Sequence, residues 1–169
     1  MAIFIITFGA FIVGILLIVS LKKVSPPTPQ EQIHFDSPDD VPKYLRDPTA
    51  FKDKCVEFLE KFNLEYVHSV WANDQELEIA MNDETPVVGG VYLALCIIDP
   101  PGQTVNAIKV KGFLDTVKGE GASRGIFITT GYFSDEAIRS IDEEPVELVD
   151  VVSFISYLKR FGIYENPSP

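Results

Sequence analysis

The chain is poor in the residues that build redox or metal chemistry, with two cysteines, two histidines and a single tryptophan among its 169 residues. Cys55 and Cys96 stand in apolar surroundings without a CxxC pair or a Cys/His spacing beside them. That favours two buried free thiols in a reducing compartment over a disulfide or a metal ligand. His34 and His68 have no second ligand at metal spacing either. Positive charge is also scarce, with 14 Lys and Arg against 25 Asp and Glu and a formal net charge of −11. A surface of that sign repels phosphate backbones on average, so non-specific nucleic-acid binding by the whole face is disfavoured and a protein partner or self-association is favoured. A local basic groove, and with it a DNA partner, stays compatible with the composition.

The third scarcity is local. Residues 1–21 carry no charged side chain, and only Thr7 and Ser20 interrupt an apolar run that as a helix would span about 30 Å, the thickness of a hydrocarbon core. The run starts without Lys or Arg, is long for a signal peptide and is followed by no small-residue cleavage site, so it reads as a transmembrane helix. Lys22 and Lys23 close it, and positive charge on that side places the N-terminus outside and the following domain in the cytoplasm. Ala10 and Gly14 have the small-xxx-small spacing found where membrane helices approach closely. Residues 22–48 hold Pro26, Pro27, Pro29, Pro38, Pro42 and Pro48 and read as an extended, semi-rigid linker, whose later part offers Tyr44 and Leu45 for docking.

A globular domain is expected over residues 49–163, and residues 164–169 form a loose tail. The hydrophobic content of 46% is enough for a core. Phe51, Cys55, Phe58, Leu59 and Phe62 recur at helical spacing, with Thr49 as cap and Asn63 as terminator. Residues 64–71 read as a strand. The stretch 76–98 reads as two more, ELEIAM and VYLALCII, the first alternating and the second apolar enough to be buried on both faces. A helix at 105–120, a strand at 126–129, a helix capped by Ser134, a strand at 146–149 and a helix capped by Asp150 complete the order α-β-β-β-α-β-α-β-α.

Two motifs carry a resemblance. GEGASRGIFITTGYFSDEA, residues 119–137, and VELVDVVSFISYL, residues 146–158, make residues 51–163 similar to the catalytic domain of Mrr-like restriction endonucleases, a branch of the PD-(D/E)xK nuclease superfamily. The resemblance implies a restriction-endonuclease-like α/β sandwich with a central mixed sheet. It also implies a chemistry in which acidic groups hold Mg²⁺ beside the scissile phosphate while a lysine helps activate water. Carried over position by position, the family's Asp falls on Glu78. YLALCI matches its Tyr-Leu-Val-Gln-Cys-Lys, so the Gln falls on Leu95 and the Lys on Ile97. The acidic position of the first helix falls on Lys52.

Glu78 alone could ligate a metal, but one carboxylate does not make a site, and it also reads as an ordinary outward-facing strand residue. Lys109 and Lys111, on the next helix, are candidates for a migrated catalytic lysine. Thr129 and Thr130 end a strand where hydroxyls contact a phosphate or satisfy local backbone groups. The expectation is a membrane-tethered cytoplasmic domain without catalysis or cofactor that binds or scaffolds. The alternatives are an active Mg²⁺-dependent DNA endonuclease and a DNA-binding tether that does not cut.

Overall fold

The structure, a computed structural model, describes residues 41–165. The expected membrane helix, most of the proline-rich linker and His34 lie outside the described residues. Among the described residues, no helix is long and apolar enough to cross a membrane.

The described chain opens with a 3-10 turn, Lys43–Leu45, which buries Tyr44 and Leu45 as their apolar side chains demand. Helix α1, Pro48–Glu60, follows. Its cap is Asp47, whose Oδ1 accepts from the Ala50 amide at 2.8 Å, and not Thr49. Pro48 takes the first helical position, where its missing N–H costs nothing, and this moves the cap ahead of the proline. Phe51, Cys55, Phe58 and Leu59 face inward at the expected spacing, and Asn63 adopts a left-handed φ of 59° beyond the helix end.

Lys54 departs from the amphipathic pattern, being 5% exposed. Its Nζ donates to Glu57 at 2.7 Å, to Glu165 at 2.6 Å and to the Ile163 carbonyl at 3.1 Å, and it lies 5.6 Å from the centre of the Tyr44 ring. Desolvation pulls its pKa down, but the bonds it donates to Glu165 and Glu57 outweigh that and raise it, so the ammonium is held charged. Tyr164 and Glu165, assigned from sequence to the loose tail, are thereby part of the packed unit, Tyr164 standing edge-on to Tyr44.

Seven strands follow: β1 Glu65–Trp71, β2 Glu76–Asp83, β3 Gly90–Ile97, β4 Thr104–Val105, β5 Arg124–Thr129, β6 Tyr132–Phe133 and β7 Val146–Val149. They alternate with α2 Ala107–Gly119, α3 Asp135–Arg139 and α4 Val151–Arg160. Asn106, Ser134 and Asp150 cap these helices, each accepting a backbone N–H through its side chain. The main sheet runs β1-β2-β3-β5-β7, antiparallel on the β1 side and parallel from β3 onward. The small parallel pair β4-β6 was not expected, since two-residue strands have no periodicity to read. It shortens the helix expected from Val105, and Ser134 N donates to the Val105 carbonyl at 3.0 Å.

The sheet separates two apolar clusters. On one side α1 and α4 pack on Leu77, Ile79, Met81, Ala94 and Cys96, with Phe154 edge-on to Tyr44, Phe51 and Phe58. On the other, α2 and α3 pack on Leu95, Ile97, Phe127 and Val146. Glycine at 125 lets α2 approach β5 closely, because a Cβ there would stand 2.6 Å from Val117 Cγ2 and force the helix side chains to shift. Burial on both faces, expected for all of β3, holds for Ala94 to Ile97, whereas Val91 is 45% exposed. Cys55 and Cys96 are buried free thiols, and burial followed by the presence of Cys96 raises the Cys55 pKa well above its ordinary value.

The cap assignment is testable by denaturation. Asp47→Ala should lower the unfolding free energy by about 1 kcal/mol, whereas Thr49→Ala should change it by less than about 0.5 kcal/mol.

Candidate active-site face

Strand register decides which side chains can act together, because directly opposed residues in a sheet share a face. Glu78 of β2 stands opposite Leu95 of β3, and Glu76 opposite Ile97. Beyond β3, Leu95 stands opposite Phe127 and Ile97 opposite Thr129. Glu76, Glu78, Leu95 and Ile97 therefore form one block on the α2 side of the sheet. The sequence correspondence placed Glu78, Leu95 and Ile97 together, and the register does bring them together.

Within that block the two strands differ in character. Leu95 is 8% exposed and Ile97 3%, and both belong to the cluster with Val110, Phe113 and Leu114 of α2. Their hydrocarbon supplies no lone pair for a metal and no proton for a phosphate oxygen. Glu78 is exposed on the antiparallel neighbour. Its cross-strand partner on the other side, in β1, is Val70, itself 57% exposed.

Lys109 projects from the first turn of α2, where its amide bonds the Asn106 cap at 3.0 Å. Its Nζ donates to Glu76 Oε1, an ion pair the sequence did not suggest. The signal was present: ELE places Glu76 and Glu78 on one strand face by the period of two. The ion pair of Lys109 is with Glu76, two residues before Glu78 on the same strand face. Lys111 is exposed on α2. Lys52 is not brought to the block at all, since α1 packs on the opposite face and Lys52 lines a groove with Tyr66.

Beside Ile97 the end of β5 is closed by hydroxyl bonds. Thr129 Oγ1 donates to Asp99 Oδ2 at 2.6 Å and accepts from the Gly131 amide at 2.9 Å. Thr130 Oγ1 accepts from the Asp99 amide at 2.8 Å and donates to the Asp99 carbonyl at 3.0 Å. Both hydroxyls are committed to holding the loop after β3 against the end of β5. Asp99 was missed as their partner because nothing in a Pro-rich break marks a long-range acceptor.

A divalent metal needs several oxygen ligands. Here Glu76 is engaged by Lys109 and Glu78 stands opposite hydrocarbon, and no group of three or more His, Cys, Asp or Glu side chains is placed to hold an ion among the described residues. The donor set present does not fit the Mg²⁺ site of the expected chemistry.

Comparison with known proteins adds to this geometry. Residues 47–158 match the Mrr_cat family, described as restriction endonuclease. Among solved structures, the DNA modification-dependent restriction endonuclease AspBHI aligns with a TM-score of 0.58 at 14% identity, over 83% of this chain and 40% of its own. The MspJI restriction endonuclease, solved in complex with a 27-mer oligonucleotide, aligns with a TM-score of 0.51 at 18% identity, over 81% of this chain and 35% of its own. At these identities the likeness establishes the mixed α/β restriction-endonuclease-like fold, and the chain spans less than half the length of either protein. No curated protein gives a significant match.

If Leu95 and Ile97 are core and Glu78 is not tied into any network, truncation should separate them. Leu95→Ala should cost about 2–5 kcal/mol in chemical denaturation by opening a cavity, and Glu78→Ala less than about 0.5 kcal/mol.

Proposed function

The chain belongs to the Mrr_cat restriction endonuclease family, and from that premise we propose that it is a member in which the nuclease face has been turned from catalysis to binding. The observation that carries this reading is the pairing of Glu78 with Leu95 and of Glu76 with Ile97 on one sheet face. Water activation and charge neutralisation at a phosphate need oxygen and nitrogen groups at those β3 positions, and the chain places buried hydrocarbon there. Such a domain has the scaffold of a nuclease without its reactive groups. It acts by holding a partner, and the acidic balance of the chain makes a protein a better partner than naked DNA. In the same reading residues 1–21 are a single-pass membrane anchor closed by Lys22 and Lys23, which holds the domain on the cytoplasmic side.

A second reading has one observation in its favour. The Lys109 ammonium stands at Glu76, beside Ile97 and on the same strand as Glu78. A Mg²⁺-dependent endonuclease using Glu76, Glu78 and Lys109 would require the ion pair to open and a further oxygen donor to be recruited. Relatives of this fold include a modification-dependent enzyme and one solved with an oligonucleotide, so base-modified DNA belongs in the test.

The full chain, purified in detergent, is incubated with unmodified and base-modified DNA and Mg²⁺ or Mn²⁺. No cleavage is the expected outcome. Cleavage that is lost in Glu78→Ala or Lys109→Ala would overturn the binding reading and establish the nuclease. The tether is tested separately by membrane fractionation. The chain should pellet with membranes and resist carbonate extraction, and recovery in the soluble fraction would refute the anchor.

A further inference from the structure

Strand β1 is the more exposed of the two edge strands of the main sheet. Its residues are exposed on both faces up to His68, and no strand lies outside it among the described residues. Val67 and Val70 are 55% and 57% exposed. An open edge carries a row of unpaired amides and carbonyls, and natural sheets usually blunt such rows with lysine, proline or a covering element. Here β1 has neither residue, and its one irregularity is a bulge between Tyr66 and His68.

The two faces of the edge differ in chemistry. On the side of α1, a groove of about 310 Å³ runs between the helix and the strand, lined by Lys52, Asp53, Val56, Glu57, Glu60 and Tyr66. Its three carboxylates outnumber its one cation, although Glu57 also bonds Lys54. On the other side Val70 stands next to Glu78. Glu65, at the start of the strand, and Asp74, in the turn after it, add exposed acid at both ends.

We infer that the outer edge of β1 is a docking site for an extended peptide segment that alternates basic and apolar residues and adds to the sheet as a further strand. Backbone pairing supplies the register, as in other strand-addition complexes. The period of two then sends alternate side chains to opposite faces. Lysine or arginine enters the acidic groove beside α1, and the intervening apolar residues cover Val70. A second copy of the chain is the poorer occupant: its own β1, EYVHSVW, has no Lys or Arg to bring to Asp53 and Glu60, and it would bring a further glutamate. The inference rests on the reading of the domain as a binding module, but it uses the edge strand and not the face of Leu95 and Ile97.

The probe is a short, end-blocked peptide of alternating lysine and valine, added to the full chain in detergent micelles. Binding is followed by fluorescence anisotropy, and amide hydrogen exchange is followed over residues 65–71. The expected result is saturable binding with slowed exchange in β1, weakened roughly tenfold in the double variant Asp53→Lys, Glu60→Lys, equivalent to ~1.4 kcal/mol. Both carboxylates are exposed, so the fold should survive, and an unchanged unfolding midpoint checks this. N-methylation of alternate peptide amides on the pairing edge should abolish binding. The inference is overturned by absence of binding, by unchanged exchange in β1, or by equal binding of a glutamate-valine peptide. Equal binding of a block peptide of the same composition would overturn it as well. DNA cleavage in the nuclease test would refute the binding-only reading while leaving this outcome to be read independently.

Discussion

Strand β3 has to satisfy two cores at once, and most of the fold follows from that demand. Its successive residues alternate between faces, so Ala94 and Cys96 close the cluster under α1 and α4 while Leu95 and Ile97 close the one under α2 and α3. Antiparallel pairing on one side and parallel pairing on the other fix β3 at the sheet's change of direction. Neither face of this segment has room for an unpaired polar group, because a buried donor or acceptor without a partner costs about 1–3 kcal/mol. A catalytic strand in the same place would accept that cost in return for reactive groups. In this chain the segment from Ala94 to Ile97 is buried hydrocarbon and thiol, with no polar side chain that needs a partner in the core.

Around that strand, the polar groups that remain are spent on structure. Thr129 and Thr130 staple the Asp99 loop, Asn106, Ser134 and Asp150 cap helices, and Lys109 neutralises Glu76. Glu78 is the exception, an exposed carboxylate at a position that in the resembled family has a function.

Much of this was legible in the chain. Helical spacing located α1, α2 and α4, the Ser134 and Asp150 caps were visible from residue type, and the apolar run of β3 marked the centre of the sheet. Glu78 and Leu95, singled out together from the sequence, stand directly opposite each other, and Ile97 lies two residues on along the same face. What escaped were features set by distant partners. The cap at Asp47 depended on Pro48, the β4-β6 pair on backbone alone, and Asp99 on hydroxyls that come thirty residues later in sequence. Lys54 looked like one more surface lysine, because its acceptors Glu165 and Ile163 lie at the other end of the domain.

That last contact has a mechanical meaning. Tyr44, where the chain enters the domain, and Glu165, where it leaves, are held by the same buried ammonium, with Phe154 of α4 behind the tyrosine ring. Entry and exit are therefore clasped together rather than anchored at separate places. Tension applied through the N-terminal segment would load the clasp before it reached the sheet.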